Sequence, residues 1–195
     1  MKLLIIMGFL GSGKTTLLLQ IARRLSEASL RIAIIENEIG DIGIDGDYLE
    51  REGLSVQELF GGCICCTLAT SLIETMLKLE QRYNPDIVIL EPTGAAVPGA
   101  VTANLNNFPS KLASIQVVTI LDAIRYEMLI EMMEPLLTAQ IQVADMVVIN
   151  KIDQVETETI KRIIQDVDRL NQRAKINAVS AEDQASLDTF MGHLL

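Results

Sequence analysis

The sequence lacks an apolar run long enough to cross a bilayer. Although 49% of its 195 residues are hydrophobic, no uninterrupted apolar stretch approaches the ~20 residues that a transmembrane helix needs. The opening segment MKLLIIM is also too short for the apolar part of a secretion signal, and no cleavage site follows it. The sequence therefore predicts neither a membrane partner nor export, and we expect a cytoplasmic protein.

Basic residues are scarce as well. The 16 lysines and arginines are outnumbered by 26 aspartates and glutamates, which gives a formal net charge of −10 at pH 7. Because a nucleic-acid surface needs clustered positive charge to neutralise phosphates, we expect no nucleic-acid partner.

The chain also lacks internal repeats, and its 195 residues suit one domain better than two.

Histidine and cysteine are rare. The one histidine, His193, lies near the end of the sequence, where a solvent-facing role is favoured over metal ligation. All three cysteines, Cys63, Cys65 and Cys66, lie in the run GGCICC. In a chain without an export signal, cysteines spaced this closely favour reduced thiols over disulfides.

Short apolar runs alternate with helical patterns along the chain. The runs LLIIM, IAIIE, IVILE, VVTIL and MVVIN are typical of buried parallel strands. This alternation predicts a three-layer α/β fold in which helices flank a mostly parallel central sheet. The methionines of EMLIEMMEPLL are expected to fill the core. Strands are predicted at 2–7, 31–36, 56–59, 86–91, 115–122, 146–149 and 174–180, and helices at 15–28, 66–82, 123–133 and 156–173.

A complete phosphate-loop motif follows the first predicted strand. The segment GFLGSGKT matches GxxxxGK[ST], in which glycines let successive backbone N–H groups point at a phosphate. Lys14 is expected to lie on a solvent-accessible loop and to reach the β- and γ-phosphates during catalysis, and the Thr15 hydroxyl is expected to bind Mg²⁺. The motif predicts a P-loop NTPase. The predicted nucleotide contacts are Gly8, Gly11, Ser12, Gly13, Lys14, Thr15 and Thr16.

A second motif, NKID, follows the fifth of the apolar runs and predicts specificity for guanine. The Asp153 carboxylate can accept two hydrogen bonds from the guanine edge, whereas adenine presents no matching pair of donors. Lys151 is expected to stack over the base, and Asn150 is expected to brace the loop. Ser180 and Ala181, after the last strand, are expected to complete the pocket. GTP or GDP is therefore the expected ligand.

The run EPTG places a carboxylate at the end of a strand and a glycine three residues later. Glu91 is suited to hold Mg²⁺ through water, and the N–H of Gly94 is suited to sense the γ-phosphate. Both residues are predicted to take part in hydrolysis. The alternative is a strand that simply ends in an acidic turn.

The acidic segment ENEIGD follows the second strand, which in a phosphate-loop fold can lie close to the nucleotide. Glu36, Glu38 and Asp41 are candidates to complete a metal site, or to contact Mg²⁺ and the attacking water. Asp41 is therefore a predicted catalytic residue. Solvated surface carboxylates are the alternative for each of them.

The cysteine cluster offers three soft ligands within one short segment. Thiolates of Cys63, Cys65 and Cys66 favour Zn²⁺ or another borderline or soft metal, and three ligands leave a fourth position open. Two alternatives remain, because cysteines are often buried for structural reasons and because a pair of them can have a redox role.

Taken in chain order, GFLGSGKTT, ENEIGDIGID, GGCICC, EPTG and NKID resemble the CobW-like branch of the metal-trafficking GTPases. These are relatives of the nickel-insertion GTPases that mature hydrogenase and urease. The resemblance implies a SIMIBI-type phosphate-loop fold, slow GTP hydrolysis, metal binding at CxCC, and nucleotide-dependent contact with a second protomer or a client. The segment TILDA, which carries Asp122, resembles a family segment too. Asp41 stands where the family usually has glutamate, and no carboxyl-terminal CobW-type domain or histidine-rich tail is expected.

These features predict that residues 1–195 form a single GTP-binding domain. The predicted function is a slow GTPase that couples its nucleotide state to binding or release of Zn²⁺ or Co²⁺, with Ni²⁺ as a third option. The expected partner is a client metalloprotein or a cobalamin-pathway enzyme, and a nucleotide-dependent homodimer is a further expectation. Two alternatives stay open: a metal-sensing regulator that transfers no metal, and a small-molecule kinase, which NKID disfavours.

Overall fold

A six-stranded sheet organises the part of the chain that the computed structural model describes, residues 1–36, 68–92, 112–181 and 183–194. Every neighbouring pair of strands is parallel. The strands are β1 (Lys2–Gly8), β2 (Ile32–Glu36), β3 (Ile87–Glu91), β4 (Ser114–Asp122), β5 (Met146–Asn150) and β6 (Lys175–Ala178). Their order across the sheet is β2-β3-β1-β4-β5-β6, so β1 lies in the middle.

Helices cover both faces of this sheet. Within the described residues they are α1 (Lys14–Glu27), α2 (Leu68–Tyr83), α3 (Tyr126–Gln142), α4 (Thr157–Leu170) and α5 (Gln184–Leu194), with a short 3₁₀ turn at Ile152–Gln154. None of the described helices is both long and apolar enough to cross a membrane.

Alternate residues of β1 pack on opposite faces of the sheet. Leu4 and Ile6 belong to the buried cluster that includes residues of α1 and α5, whereas Leu3 and Ile5 belong to the cluster that includes residues of α2. A third cluster joins β4 and β5 to α3 and α4. Because both faces are covered, the strands read as continuous apolar runs, and the predicted three-layer arrangement with a parallel sheet is confirmed.

Helix α3 differs from the predicted helix at 123–133. It continues to Gln142, although the φ of Met133 is −134° and Pro135 lies inside it. Proline removes one backbone donor and kinks a helix, so the sequence around Pro135 does not itself favour a continuous helix. Leu137 and Ile141 are buried beyond the kink, and their packing against the third cluster retains the second half of the helix.

Helix α5 was not predicted, and the last strand ends at Ala178 rather than at residue 180. The sequence of α5 contains Gly192 and Thr189, which have low helix propensity, so its helical pattern is weak. Phe190 is only 1% exposed. Burial of its ring against α1 and the sheet stabilises a helix that local preferences alone do not specify.

The expectation that the methionines of α3 fill the core is wrong. Met128, Met132 and Met133 are 47%, 72% and 42% exposed. The core positions of this helix are instead taken by Tyr126, Leu137 and Ile141. The predicted strand at 56–59 lies outside the described residues.

Candidate nucleotide-binding site

The phosphate loop connects the central strand to the first helix. Gly8 ends β1 and Lys14 begins α1, so the loop crosses the carboxyl edge of the sheet, where open parallel sheets bind their ligands. The φ angles of Gly8, Gly11 and Gly13 are +144°, +74° and +93°. Glycine alone adopts this range at little cost, and successive turns of this kind bring backbone N–H groups toward one point.

Glycine is required at position 13 by a close contact as well as by the positive φ angle. A Cβ atom at this position would lie 2.2 Å from Asn150 Nδ2. That nitrogen donates to the carbonyl of Ser12 at 2.9 Å, and both residues are buried. The amide of Asn150 therefore braces the loop through a space that only glycine leaves open.

Four consecutive carbonyl groups of the loop, those of Phe9 to Ser12, are held by side chains. Each accepts a hydrogen bond from a donor that approaches from α1, from the end of β4 or from the end of β5. The pairs are Phe9 O with Lys14 Nζ at 3.3 Å, Leu10 O with Arg125 Nη2 at 2.6 Å, Gly11 O with Lys151 Nζ at 2.7 Å, and Ser12 O with Asn150 Nδ2 at 2.9 Å.

Asp122 anchors two of these donors. Its side chain is fully buried, and its Oδ2 atom accepts from Arg125 Nε at 2.7 Å and from Lys151 Nζ at 2.8 Å. The register of β4 and β5 places Asp122 beside Asn150, which is the residue before Lys151. Burial raises the pKa of Asp122, but hydrogen bonds from Lys151 and Arg125 outweigh it, so the pKa lies below its ordinary value. The carboxylate is therefore ionised and forms ion pairs with both Arg125 and Lys151.

Lys14, Thr15 and Glu91 lie together at the other side of the loop. The Thr15 hydroxyl lies 3.3 and 3.4 Å from the two carboxylate oxygens of Glu91, and Lys14 Nζ lies 3.7 Å from Glu91 Oε1. The expectation that Lys14 lies on a solvent-accessible loop is wrong, because it begins α1 and is only 7% exposed. Its Nζ atom also donates to the carbonyl of Phe9 at 3.3 Å, so the ammonium group lies between the loop and Glu91.

The NKID segment lies next to the turn that follows β6. The backbone N–H of Ile152 donates to the carbonyl of Val179 at 3.4 Å. Asp153 is exposed, and a hydrogen bond from the side chain of Ser180 is the main cause that lowers its pKa. This arrangement leaves an ionised carboxylate at the surface, in a position to accept hydrogen bonds.

Helix α5 in turn holds Ser180. The Ser186 hydroxyl lies 3.2 Å from both the N–H and the carbonyl of Ser180, and the N–H of Ser186 donates to Asp183 at 2.9 Å. The first turn of α5 is therefore part of the support for Asp153. Ala181, the other residue predicted for this pocket, packs against the core cluster that contains α5.

Several predicted site residues cannot be placed. Gly94, Glu38, Asp41 and the three cysteines lie outside the described residues. The backbone of Glu36 ends β2 opposite Glu91, but its side chain is not among those described. Among the described residues, no three acidic, histidine or cysteine side chains come together as a metal site. The metal-site predictions therefore remain predictions.

Sequence reasoning missed Arg125 and Ser186. A signal for Arg125 is present, because an arginine three residues after a strand-end aspartate can return to that carboxylate. Ser186 follows Asp183 by three residues, a spacing typical of the first turn of a helix. Neither pattern is specific enough to indicate which loop the side chains hold.

The family model for the CobW/HypB/UreG nucleotide-binding domain matches residues 2–178. The match includes the phosphate loop, the end of β3 and the NKID segment. The chain belongs to the CobW/HypB/UreG family.

Two curated proteins are similar in sequence to this chain. The zinc chaperone CobW of Sinorhizobium sp is 33% identical over 219 residues, which cover 94% of this chain and 60% of the relative. The zinc chaperone YjiA of Escherichia coli K12 is 31% identical over 189 residues, which cover 90% of this chain and 56% of the relative.

The chain thus spans less than two thirds of the length of either relative.

Solved structures show that the fold is similar as well. The hydrogenase maturation factor HypB of Archaeoglobus fulgidus superposes with a TM-score of 0.71 at 22% identity, covering 99% of this chain and 88% of that one. Zn(II)-bound YjiA of E. coli gives a TM-score of 0.70 at 24% identity, with 96% and 60% covered. The predicted P-loop architecture of this CobW/HypB/UreG member is confirmed.

The contact between Gly13 and Asn150 predicts the effect of adding one methyl group. Gly13→Ala should destabilise the protein by about 1–3 kcal/mol, because alanine is strained at this φ and its Cβ would displace the Asn150 amide. Gly192→Ala is the matched control, since a Cβ there meets nothing within 4 Å. The control should be neutral or slightly stabilising in helix α5. Urea unfolding of both variants measures the difference, and equal stabilities would contradict the assigned contact.

Proposed function

We propose that this chain binds GTP with Mg²⁺, hydrolyses GTP slowly, and couples its nucleotide state to binding or release of Zn²⁺ or Co²⁺ at Cys63, Cys65 and Cys66. The observation that carries the nucleotide part is the direct link between the two motifs. Asn150 and Lys151 of NKID hold two carbonyl groups of the phosphate loop at 2.9 and 2.7 Å. Because the elements suited to a base and to phosphates form one structure, one nucleotide can engage both.

Asp153, which is exposed at the NKID end of the site, is suited to bind guanine. An ionised Asp153, held by Ser180, has only acceptors to offer. Guanine presents an N–H and an amine side by side, which such a carboxylate can accept together, whereas adenine presents no such pair. This arrangement supports a GTPase and disfavours the alternative of a small-molecule kinase.

The residues beside Lys14 suit Mg²⁺. Thr15 and Glu91 supply a hydroxyl and a carboxylate within 3.4 Å of each other, and hard oxygen ligands are those that Mg²⁺ prefers. Thr15 and Glu91 would hold the ion, which neutralises phosphate charge when bound. Lys14, buried at the start of α1, would contribute its positive charge to the β- and γ-phosphates, and the loop N–H groups would orient them. Gly94 and Asp41 are the proposed residues for sensing the γ-phosphate and orienting water.

Metal handling is proposed from the cysteine run and from the named functions of relatives. Two relatives are named zinc chaperones, and a third, from Schizosaccharomyces pombe, is named a zinc-regulated GTPase metalloprotein activator. Three thiolates within four positions are the soft donor set that such a metal requires. Glu36 and Glu38 are candidates for the remaining ligand. We further propose a client metalloprotein as partner, a nucleotide-dependent homodimer and a cytoplasmic location.

Base specificity is tested at Asp153. Asp153→Asn should weaken GDP binding by about 10- to 100-fold, because one charged acceptor pair is lost, and should improve binding of xanthosine diphosphate, whose 2-carbonyl can accept from the new amide. Asp168→Asn, on the exposed face of α4, is the matched control and should change neither affinity. Calorimetric titration with both nucleotides gives the ratio. A wild-type protein that binds and hydrolyses ATP as well as GTP would contradict the assignment of the base.

Coupling is tested by measuring metal affinity in two nucleotide states. The dissociation constants of Zn²⁺ and Co²⁺ should differ by about 5- to 150-fold between GDP and a non-hydrolysable GTP analogue, the range typical of allosteric pairs. A triple Cys→Ser variant at Cys63, Cys65 and Cys66 should lose the metal while retaining GDP. Equal affinities in both states would reduce the cysteines to a structural site, and unaltered affinity in the triple variant would remove them from metal binding.

The same preparation separates transfer from sensing. A zinc-loaded protein should release its metal to a chelating acceptor when GTP is hydrolysed, and not when the analogue replaces GTP. Metal that stays bound through hydrolysis would favour the metal-sensing regulator.

A further inference from the structure

We infer that Arg125, which belongs to neither nucleotide motif, is a positioning residue for phosphate binding. It fixes the first half of the phosphate loop by joining the carbonyl of Leu10 to the buried carboxylate of Asp122. The inference rests on the proposed nucleotide binding and deepens it. It assigns to Arg125 an effect on how much the β-phosphate adds to affinity, an effect that acts through the shape of the loop.

The guanidinium group of Arg125 makes two hydrogen bonds, one to Asp122 and one to the phosphate loop. Its Nε donates to Asp122 Oδ2 at 2.7 Å while its Nη2 donates to Leu10 O at 2.6 Å. A Cβ atom at Gly11 would lie 3.0 Å from Nη2, so the guanidinium group lies directly against the loop. A rigid, planar group with several donors can satisfy two acceptors at fixed separation, which a flexible lysine ammonium does less well.

The direction of the Leu10 carbonyl matters because of what the loop must bind. The loop attracts an anion through backbone N–H groups that point inward. A carbonyl oxygen that turned inward would bring a partial negative charge to the same place and repel a phosphate. Holding the carbonyl of Leu10 outward, on Arg125, therefore preserves the binding geometry of the neighbouring N–H groups.

No apolar packing replaces this hydrogen bond at Leu10. The Leu10 side chain is 81% exposed, so burial does not hold this residue in place. The second half of the loop is braced by Asn150 and Lys151, which also belong to the guanine motif. Arg125 holds the first half at Leu10, as Lys14 holds it at Phe9, and it shares the carboxylate of Asp122 with Lys151. Because the loop contact of Arg125 is on the phosphate side, its loss should lower the contribution of the phosphate more than that of the base.

The experiment compares GMP with GDP in the full chain. The dissociation constant of GMP divided by that of GDP measures what the β-phosphate adds to affinity. Arg125→Gln should lower that ratio about tenfold, the size expected for losing one hydrogen bond made by a charged group, while GMP affinity changes much less. Arg162→Gln is the matched control. Arg162 is also an arginine paired with a carboxylate, Glu127 on α3, but it lies on the surface.

A second variant separates positioning from general stability. Arg125→Lys keeps a positive charge for Asp122, so it should retain the thermal stability of the wild type, but it should recover less than the full GMP-to-GDP ratio. An unchanged ratio in Arg125→Gln, or a parallel loss of GMP and GDP affinity, would overturn the inference while leaving GTP binding intact. Full recovery of the ratio by Arg125→Lys would also overturn it. A wild-type protein that binds GDP no better than GMP would instead overturn the proposed function and the inference with it.

Discussion

The buried carboxylate of Asp122 is the interaction on which the site depends. One oxygen of this side chain accepts from both Arg125 and Lys151, and each of these cations reaches on to a carbonyl of the phosphate loop. A buried charge is tolerated when it is paired and hydrogen-bonded. Here the pairing also fixes the relative positions of β4, β5 and the loop, because Asp122 ends β4 and Lys151 directly follows β5.

This arrangement explains how an acidic protein can hold a highly charged anion. The formal net charge is −10, yet three cations, Lys14, Lys151 and Arg125, meet at the carboxyl edge of the sheet. Their carboxylate partners, Asp122 and Glu91, are little exposed. The local field that a phosphate meets is set by these groups and by the inward N–H groups of the loop, whereas the distant surface charge is screened by salt.

The sequence allowed the sheet to be predicted, because buried parallel strands read as unbroken apolar runs. It also indicated that the two motifs follow strands, which is where the structure has them. It did not allow α5 to be predicted, since the stability of that helix comes from burying Phe190 rather than from local preference. The role of Arg125 was missed for a related reason. Its contact with Leu10 joins residues separated by 115 positions, and only the folded sheet brings them together.

The hydrogen bonds from Arg125, Lys151 and Asn150 hold the phosphate loop in a geometry that suits phosphate binding. The most direct measurement is a crystal structure of the GDP complex. In that complex we expect the carbonyls of Leu10, Gly11 and Ser12 to keep their partners Arg125, Lys151 and Asn150, while Lys14 Nζ moves from Phe9 O and Glu91 to the phosphates. A complex in which those carbonyls exchange their partners, and the loop is rebuilt around the nucleotide, would contradict it.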